Sequence, residues 1–261
     1  MTSSGEIIWI GFLASLFAGL GTGLGALGVF AIRRLSERLE DSLLSFAAGI
    51  MLAASFISLL MPAAEFAQAQ FTQTWLSALV VSSGFLAGGG VLYLVHRYAP
   101  HEHFVMGREG PDATTLNRIW LFVIAITLHN FPEGMAVGVG FAGGDLQNGR
   151  TLATGILMQN IPEGLAVAAS LLVIGYTRLK AFGVAFLTGL VEPVGGLFGS
   201  TMVALAEPMM PWSLGFAAGA MVFIISDEIV PETHRGNYSL LATFSLMIGV
   251  VVMVLLDMAL G

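Results

Sequence analysis

The chain contains no cysteine. Disulfides, thiolate-bound zinc, iron–sulfur clusters and thiol nucleophiles are therefore excluded. Charge is the second scarcity: 10% of the 261 residues are Asp, Glu, Lys or Arg, against about 25% in an ordinary soluble domain. Ten Lys and Arg face seventeen Asp and Glu, for a net charge of −7. No basic stripe is left to hold phosphates, and nucleic acid is excluded as a partner. Alternating short strands, the mark of an outer-membrane barrel, are missing too. What is present is apolar: 56% of residues are hydrophobic and the mean hydropathy is +0.85. The composition excludes a cytosolic enzyme and a disordered chain, and predicts an all-α polytopic membrane protein.

A helix needs about 20 apolar residues to cross the hydrocarbon core. Eight stretches meet this, at roughly 7–31, 42–62, 75–96, 119–141, 151–175, 181–204, 212–230 and 239–260. Polar, Pro- or Gly-containing breaks separate them, such as R-R-L-S-E-R-L-E-D at 33–41 and a longer stretch at 97–118. With the N-terminus outside, the inside loops collect Arg33, Arg34, Arg38, Arg97, Arg108, Arg118, Arg178, Lys180 and Arg235, and the outside loops only Arg150. Nine against one satisfies the positive-inside rule; seven or nine spans would scramble it. The expectation is one domain over 1–261, eight spans, and both termini outside. No Lys or Arg precedes the first span, so that span reads as a retained helix and not a cleaved signal.

Gly19, Gly21, Gly23, Gly25 and Gly28 give the first span overlapping small-xxx-small spacings, which favour close helix approach. A G-x-G-x-x-G falls at 23–28, but a dinucleotide fingerprint needs a preceding strand and a βαβ unit. The reading is packing.

Ionisable residues inside a membrane are costly and mark function by default. Glu133, Glu163, Glu192, Asp227, Glu228 and Asp257 lie within spans, with His129, Asn130, Gln159 and Asn160. Glu133, Glu163 and Glu192 fall near span centres, with no Lys or Arg placed to neutralise them. Such carboxylates are either protonated or hold a cation. The fourth span carries H-N-F-P-E-G at 129–134 and the fifth Q-N-I-P-E-G at 159–164. His129 and Glu133 share a helical face, as do Gln159 and Glu163, with Asn130 and Asn160 one step round. Pro132 and Pro162 remove the helical donors of the Leu128 and Met158 carbonyls, offering further oxygens. Two antiparallel spans joined by a short loop bring both motifs to one depth, and Glu192 in V-E-P-V-G-G reaches it from the sixth. One imidazole, three carboxylates and three amides suit Zn²⁺, Fe²⁺, Mn²⁺, Co²⁺, Ni²⁺ or Cd²⁺ better than Cu⁺. Packing alone would not require a Glu at the same offset twice.

At these residues the chain resembles the ZIP (Zrt/Irt-like) family of divalent metal transporters, in particular its bacterial GufA-type members, over essentially its whole length. The resemblance implies a primary metal site of His129, Glu133, Gln159 and Glu163, and a second site of Asn130, Asn160 and Glu192 sharing the bridging glutamates. It places Met51 of the second span near the metal, where packing is the competing reading. It implies transport by sliding spans one, four, five and six against two, three, seven and eight. Two positions depart from the family pattern: Gln159 stands where many members have a second histidine, and Asn160 where they have a carboxylate. The family's histidine-rich loop is reduced to His101-Glu102-His103.

The other acids fit a path: Asp227, Glu228, Glu232 and His234 towards the cytoplasm, Glu65 and Asp257 at the entrance, Ser58 lining the route. Solvated helix ends are the alternative for these. The expected cargo is Zn²⁺ or a related ion (Fe²⁺, Mn²⁺, Cd²⁺), moved into the cytoplasm by alternating access. The expected setting is a lipid bilayer, the bacterial inner membrane, with a homodimer left open as the assembly. An intramembrane enzyme is the contrasting class. It lacks H-E-x-x-H and the paired Glu-x-x-His of a di-iron bundle. A metal-gated channel or sensor stays open as the second reading.

Overall fold

The computed structural model describes residues 3–32, 34–99, 101–103, 107–109 and 118–260. Arg33, and the side chains of His101, Glu102, His103, Arg108 and Arg118, lie outside the described residues. The helices are α1 (Ser4–Ala26), α2 (Glu37–Ala54), α3 (Met61–Gln70), α4 (Thr74–Tyr98), α5 (Arg118–Val139), α6 (Leu146–Val173), α7 (Arg178–Gly189), α8 (Glu192–Leu205), α9 (Met210–Ile224), α10 (Val230–Thr233) and α11 (Ser239–Leu260). A two-stranded ribbon, β1 (His101–His103) against β2 (Gly107–Glu109), is antiparallel.

Seven helical runs among the described residues are long and apolar enough to cross a membrane, and α5, of 22 residues, is a further long helix. The chain is a polytopic all-α membrane protein. Polar caps start several of these runs. Ser3 and Glu6 form a reciprocal capping box on α1, Ser36 caps α2, and Asp145 accepts from Gln147 N and Asn148 N at α6. Gly143, with φ 65°, and Gly144, with φ 78°, make the tight turn from α5 into α6.

Three runs depart from simple helices. The second is 34 residues long, Glu37–Gln70, because α2 continues into α3 through π turns at Ser55–Leu60. A second π segment, Ile225–Ile229, joins α9 to α10. Each π segment is followed by a proline, Pro62 or Pro231, whose missing N–H breaks the regular ladder. The run Arg178–Leu205 is broken at Leu190–Val191, so Glu192 begins a new helix instead of lying within one, with Pro193 in its first turn. Proline suits that place because its N–H would be unpaired there anyway.

Glycine decides how closely the helices pack, and it divides them into two groups. In the first group α1 meets α6 and α8, and α5 meets α8. A Cβ on Gly25 would lie 1.8 Å from Ile161 O, and one on Gly138 2.3 Å from Gly196 O. In the second group α4 meets α9 and α2 meets α11. There a Cβ on Gly88 would lie 2.0 Å from Phe216 O, and one on Gly49 2.0 Å from Leu246 O. Between α1, α5, α6, α7, α8 and the other helices, the glycines described meet side chains instead: Gly155 meets Met253 Sδ at 2.6 Å, and Gly143 meets Phe66 Cζ at 2.7 Å. Backbone thus touches backbone inside each group, and a side-chain seam runs between them.

Candidate metal centre

Five of the predicted ligands project from helices of the first group. Asn130 and Glu133 project from α5, Gln159 and Asn160 from α6, and Glu192 from the first position of α8; all five are buried. Glu133, Gln159, Asn160 and Glu192 follow one another in a row. Gln159 lies beside Glu133, and its Nε2 donates to Asn160 Oδ1 at 2.5 Å. Asn160 Nδ2 in turn donates to Glu192 Oε1 at 2.6 Å and to Ala18 O at 2.9 Å. Asn160 therefore spends both ends of its amide on neighbours, and orients Gln159 and Glu192.

The oxygens left over test whether a cation fits. Asn130 Oδ1, Glu133 Oε2, Gln159 Oε1 and Glu192 Oε2 are buried and have no hydrogen-bond donor. An unsatisfied buried polar atom costs about 1–3 kcal/mol. Four such atoms, all acceptors, describe a site short of positive charge. A divalent metal supplies that, with oxygen ligands of the kind Zn²⁺, Fe²⁺ or Mn²⁺ accept.

A second cluster adjoins the first. His129, next in sequence to Asn130, hydrogen-bonds Glu228 Oε2 through Nε2. His96 Nε2 lies 2.9 Å from the other oxygen, Glu228 Oε1, and His96 Nδ1 lies 3.8 Å from Asp227 Oδ2. One ligand atom each from His96, His129 and Glu228 fall within 4.8 Å of one another. Two imidazoles and one carboxylate are a ligand set that zinc takes with a coordination position left open. Glu163 lies between the clusters, within electrostatic reach of Glu133 and Glu192 on one side and of His129 and Glu228 on the other.

Of the remaining predicted residues, Met51 and Ser58 are fully buried, and Ser58 Oγ has no hydrogen-bond partner. Glu65 is exposed, while Asp257 and Glu232 are half-buried. Asp227 is exposed at 51%, beside the second cluster. His234 points elsewhere: its Nδ1 faces Val230 O at 3.0 Å and its Nε2 faces Thr243 Oγ1 at 3.1 Å. Glu228, expected on the exit path, sits in the second cluster directly against His129. His96 is the residue that sequence reasoning missed. The available signal was an imidazole in the last turn of an apolar helix, which the span boundary at 96 put at the water's edge.

Comparison with known proteins adds an independent line. Residues 96–257 match the family model described as ZIP Zinc transporter. The chain is 45% identical over 251 residues to the Zinc transporter GufA of Myxococcus xanthus, covering 96% of this chain and 99% of that protein. It is 46% identical to the Zinc transporter ZIPB of Bordetella bronchiseptica, over 92% of this chain and 78% of the relative. It is 32% identical to the human Zinc transporter ZIP11, over 95% of this chain and 96% of that one.

Proposed function

Since the chain belongs to the ZIP family of divalent metal transporters, of GufA type, we propose that it carries Zn²⁺, or a closely related ion such as Fe²⁺, Mn²⁺ or Cd²⁺, into the cytoplasm by alternating access. Members of this family are transporters and not catalytic enzymes, and the chain moves divalent metal ions through a buried His/Glu site. The reading has eight spans with both termini outside, in a bacterial inner membrane.

The observation that carries the proposal is the continuity of the two ligand clusters. Glu133, Gln159, Glu192 and Asn130 offer oxygens without donors, Glu163 bridges, and His129 with His96 and Glu228 continues the row. An ion entering the first cluster exchanges hydration water for carboxylate and amide oxygens. Moving to the second, it gains imidazole nitrogens. A single tight cage would hold the ion; two adjoining partial sites let it leave.

Burial supports an arrangement closed to the outside. At the end of the bundle carrying the α5–α6 turn, Leu59, Ala63, Val139, Phe141, Leu152 and Ile156 are buried in one core cluster. On the other side of the ligands His129 and Glu163 keep some exposure. The division of the glycines supports sliding of α1 and α5–α8 against the remaining helices, since the described glycines make their close backbone contacts within each group and meet side chains across the boundary. Alternating access requires two bodies with such a yielding boundary.

The test is metal influx into liposomes holding the purified protein and a zinc-sensitive dye. Saturable influx is expected from the unmodified chain, with Glu133→Ala and Glu163→Ala folded but inactive. Competition by Fe²⁺, Mn²⁺ and Cd²⁺ then ranks the cargoes. A folded, metal-binding chain that passes no metal overturns transport and leaves the sensor reading. Unitary current steps under voltage clamp would favour a channel.

A further inference from the structure

The turn between α5 and α6 carries a side chain that the metal chemistry does not use. Asn148, half-buried near the start of α6, donates from Nδ2 to Ser58 O at 3.0 Å and to Gly140 O at 3.0 Å. A primary amide has two N–H donors, and both are spent. Each acceptor stands where an α-helical register has no donor to offer. In an α-helix Ser58 O would accept from residue 62, and residue 62 is proline. Gly140 follows the last residue of α5, where C-terminal carbonyls lack helical partners.

Ser58 lies in the π segment between α2 and α3, on one side of the seam. Gly140 and Asn148 lie on the other, with α5 and α6. Of the two Asn148 bonds, the one to Ser58 O crosses. It crosses beside the apolar seal, where Leu59, Ala63, Phe141 and Leu152 are closed off from solvent. It stands eleven residues before Gln159 on the same helix, about 16 Å at 1.5 Å per residue. That is too far for any part in holding the ion.

We propose that Asn148 is a positioning residue: it clasps the outer end of the seam by giving Ser58 O the donor that Pro62 withholds, and so sets how readily the site opens to the outside. The inference rests on the alternating-access reading above. Sliding of α6 past α2 must break this bond on every outward excursion, while the Gly140 bond travels with α6. Ser58 O then finds water in the opened cleft. The clasp is therefore worth one net hydrogen bond, roughly a 2- to 12-fold bias towards the closed outer seam.

The absence of cysteine makes the test clean. In proteoliposomes, Ala63→Cys reports on the seal and Ala185→Cys, in the α1–α7 core, reports on general loosening. Both are probed without metal by a membrane-impermeant thiol reagent applied from outside. Asn148→Ala is expected to raise labelling at Ala63→Cys about 2- to 12-fold and leave Ala185→Cys unchanged. Asn148→Asp keeps the shape but has no donor, so it is expected to match Asn148→Ala. Unchanged labelling at Ala63→Cys in both variants, or an equal rise at both reporters, overturns the clasp. Zinc flux through the unmodified protein is read on the same preparation. Flux with unchanged labelling sinks the clasp alone, and a folded chain without flux sinks the transport reading. If Ala63→Cys fails to fold, Ala142→Cys, buried in the same seal, replaces it.

Discussion

Gly134 lies so close to Glu192 that a Cβ on it would sit 2.0 Å from Glu192 O. The glycine of the first P-E-G motif thus lets α5 press against the residue that begins α8, bringing Glu133 and Glu192 into one site. The second motif does the same with α1: a Cβ on Gly164 would lie 2.0 Å from Thr22 O. Each motif places a carboxylate in the candidate site and, beside it, a residue with no side chain against the neighbouring backbone. Gly134→Ala is expected to force the α5 and α8 backbones apart at a cost of about 1–3 kcal/mol, as overpacking does. A lowered thermal midpoint in detergent, with metal flux lost at temperatures where the unmodified protein remains folded, is the expected result. An unchanged midpoint would show that this contact yields.

Asn160 stands between Gln159 and Glu192 and touches both through one amide. Asn160→Ala is expected to release the Glu192 carboxylate and the Gln159 amide together, lowering metal affinity about 10- to 100-fold, the usual loss when a supporting partner of a ligand is removed. Calorimetric titration with Zn²⁺ would measure it. Asn160→Asp is the informative companion. It keeps the oxygen that Gln159 meets but places a second negative charge 2.6 Å from Glu192 in the ion-free protein. That charge is satisfied only when metal is bound, so Asn160→Asp should bind Zn²⁺ more tightly than Asn160→Ala.

Much of this site was legible in the sequence. Two copies of N-x-P-E-G on adjacent apolar stretches announce converging carboxylates, because local helical spacing determines which residues share a face. Glu192 was legible as a mid-membrane acid. The break before it was not, since V-E-P reads equally as a kink or as the first turn of a new helix. The pairing of His96 with Glu228 was equally hidden. They lie 132 positions apart, and no periodicity within α4 or the Ile225–Ile229 segment encodes which helices become neighbours. The π segment at Ile225–Ile229 helps set the direction in which Glu228 points, and a heptad or 3.6-residue reading across it assigns the wrong face. The glycines were legible as packing residues, but their division into two groups appears only when each one's contact is known.

His96 makes the second cluster separable from the first. It touches Glu228 and Asp227 and packs edge-on against Phe223, 5.3 Å between ring centroids. His96→Phe keeps the ring volume and removes the ligand nitrogens. Maximal zinc flux is expected to fall roughly tenfold, the effect of about 1.4 kcal/mol on a rate-limiting step. The concentration giving half-maximal flux should change much less, because entry ligands are intact. Equal changes in both would mean that His96 helps capture the ion and does not act after capture.

Gln159 is where metal selectivity can be tested. Its Oε1 is one of the four buried acceptors without a donor, while its Nε2 holds Asn160. An amide oxygen is a hard, neutral ligand that treats Mn²⁺ and Fe²⁺ nearly as well as Zn²⁺, whereas imidazole favours zinc, and the softer thiolates are absent from this chain altogether. Gln159→His puts a second imidazole beside Glu133 and gives up the hydrogen bond to Asn160. Two effects therefore compete: a gain in affinity for Zn²⁺ and Cd²⁺, and a loss of order at Glu192. The gain is expected to win for zinc, since the new nitrogen bonds the ion directly and Asn160 retains its bond to Ala18 O. The ratio of Zn²⁺ to Mn²⁺ flux in competition should rise several-fold in the variant. A falling ratio would show that Gln159 serves mainly to hold Asn160, and that discrimination among metals is exercised at the His96–His129–Glu228 cluster.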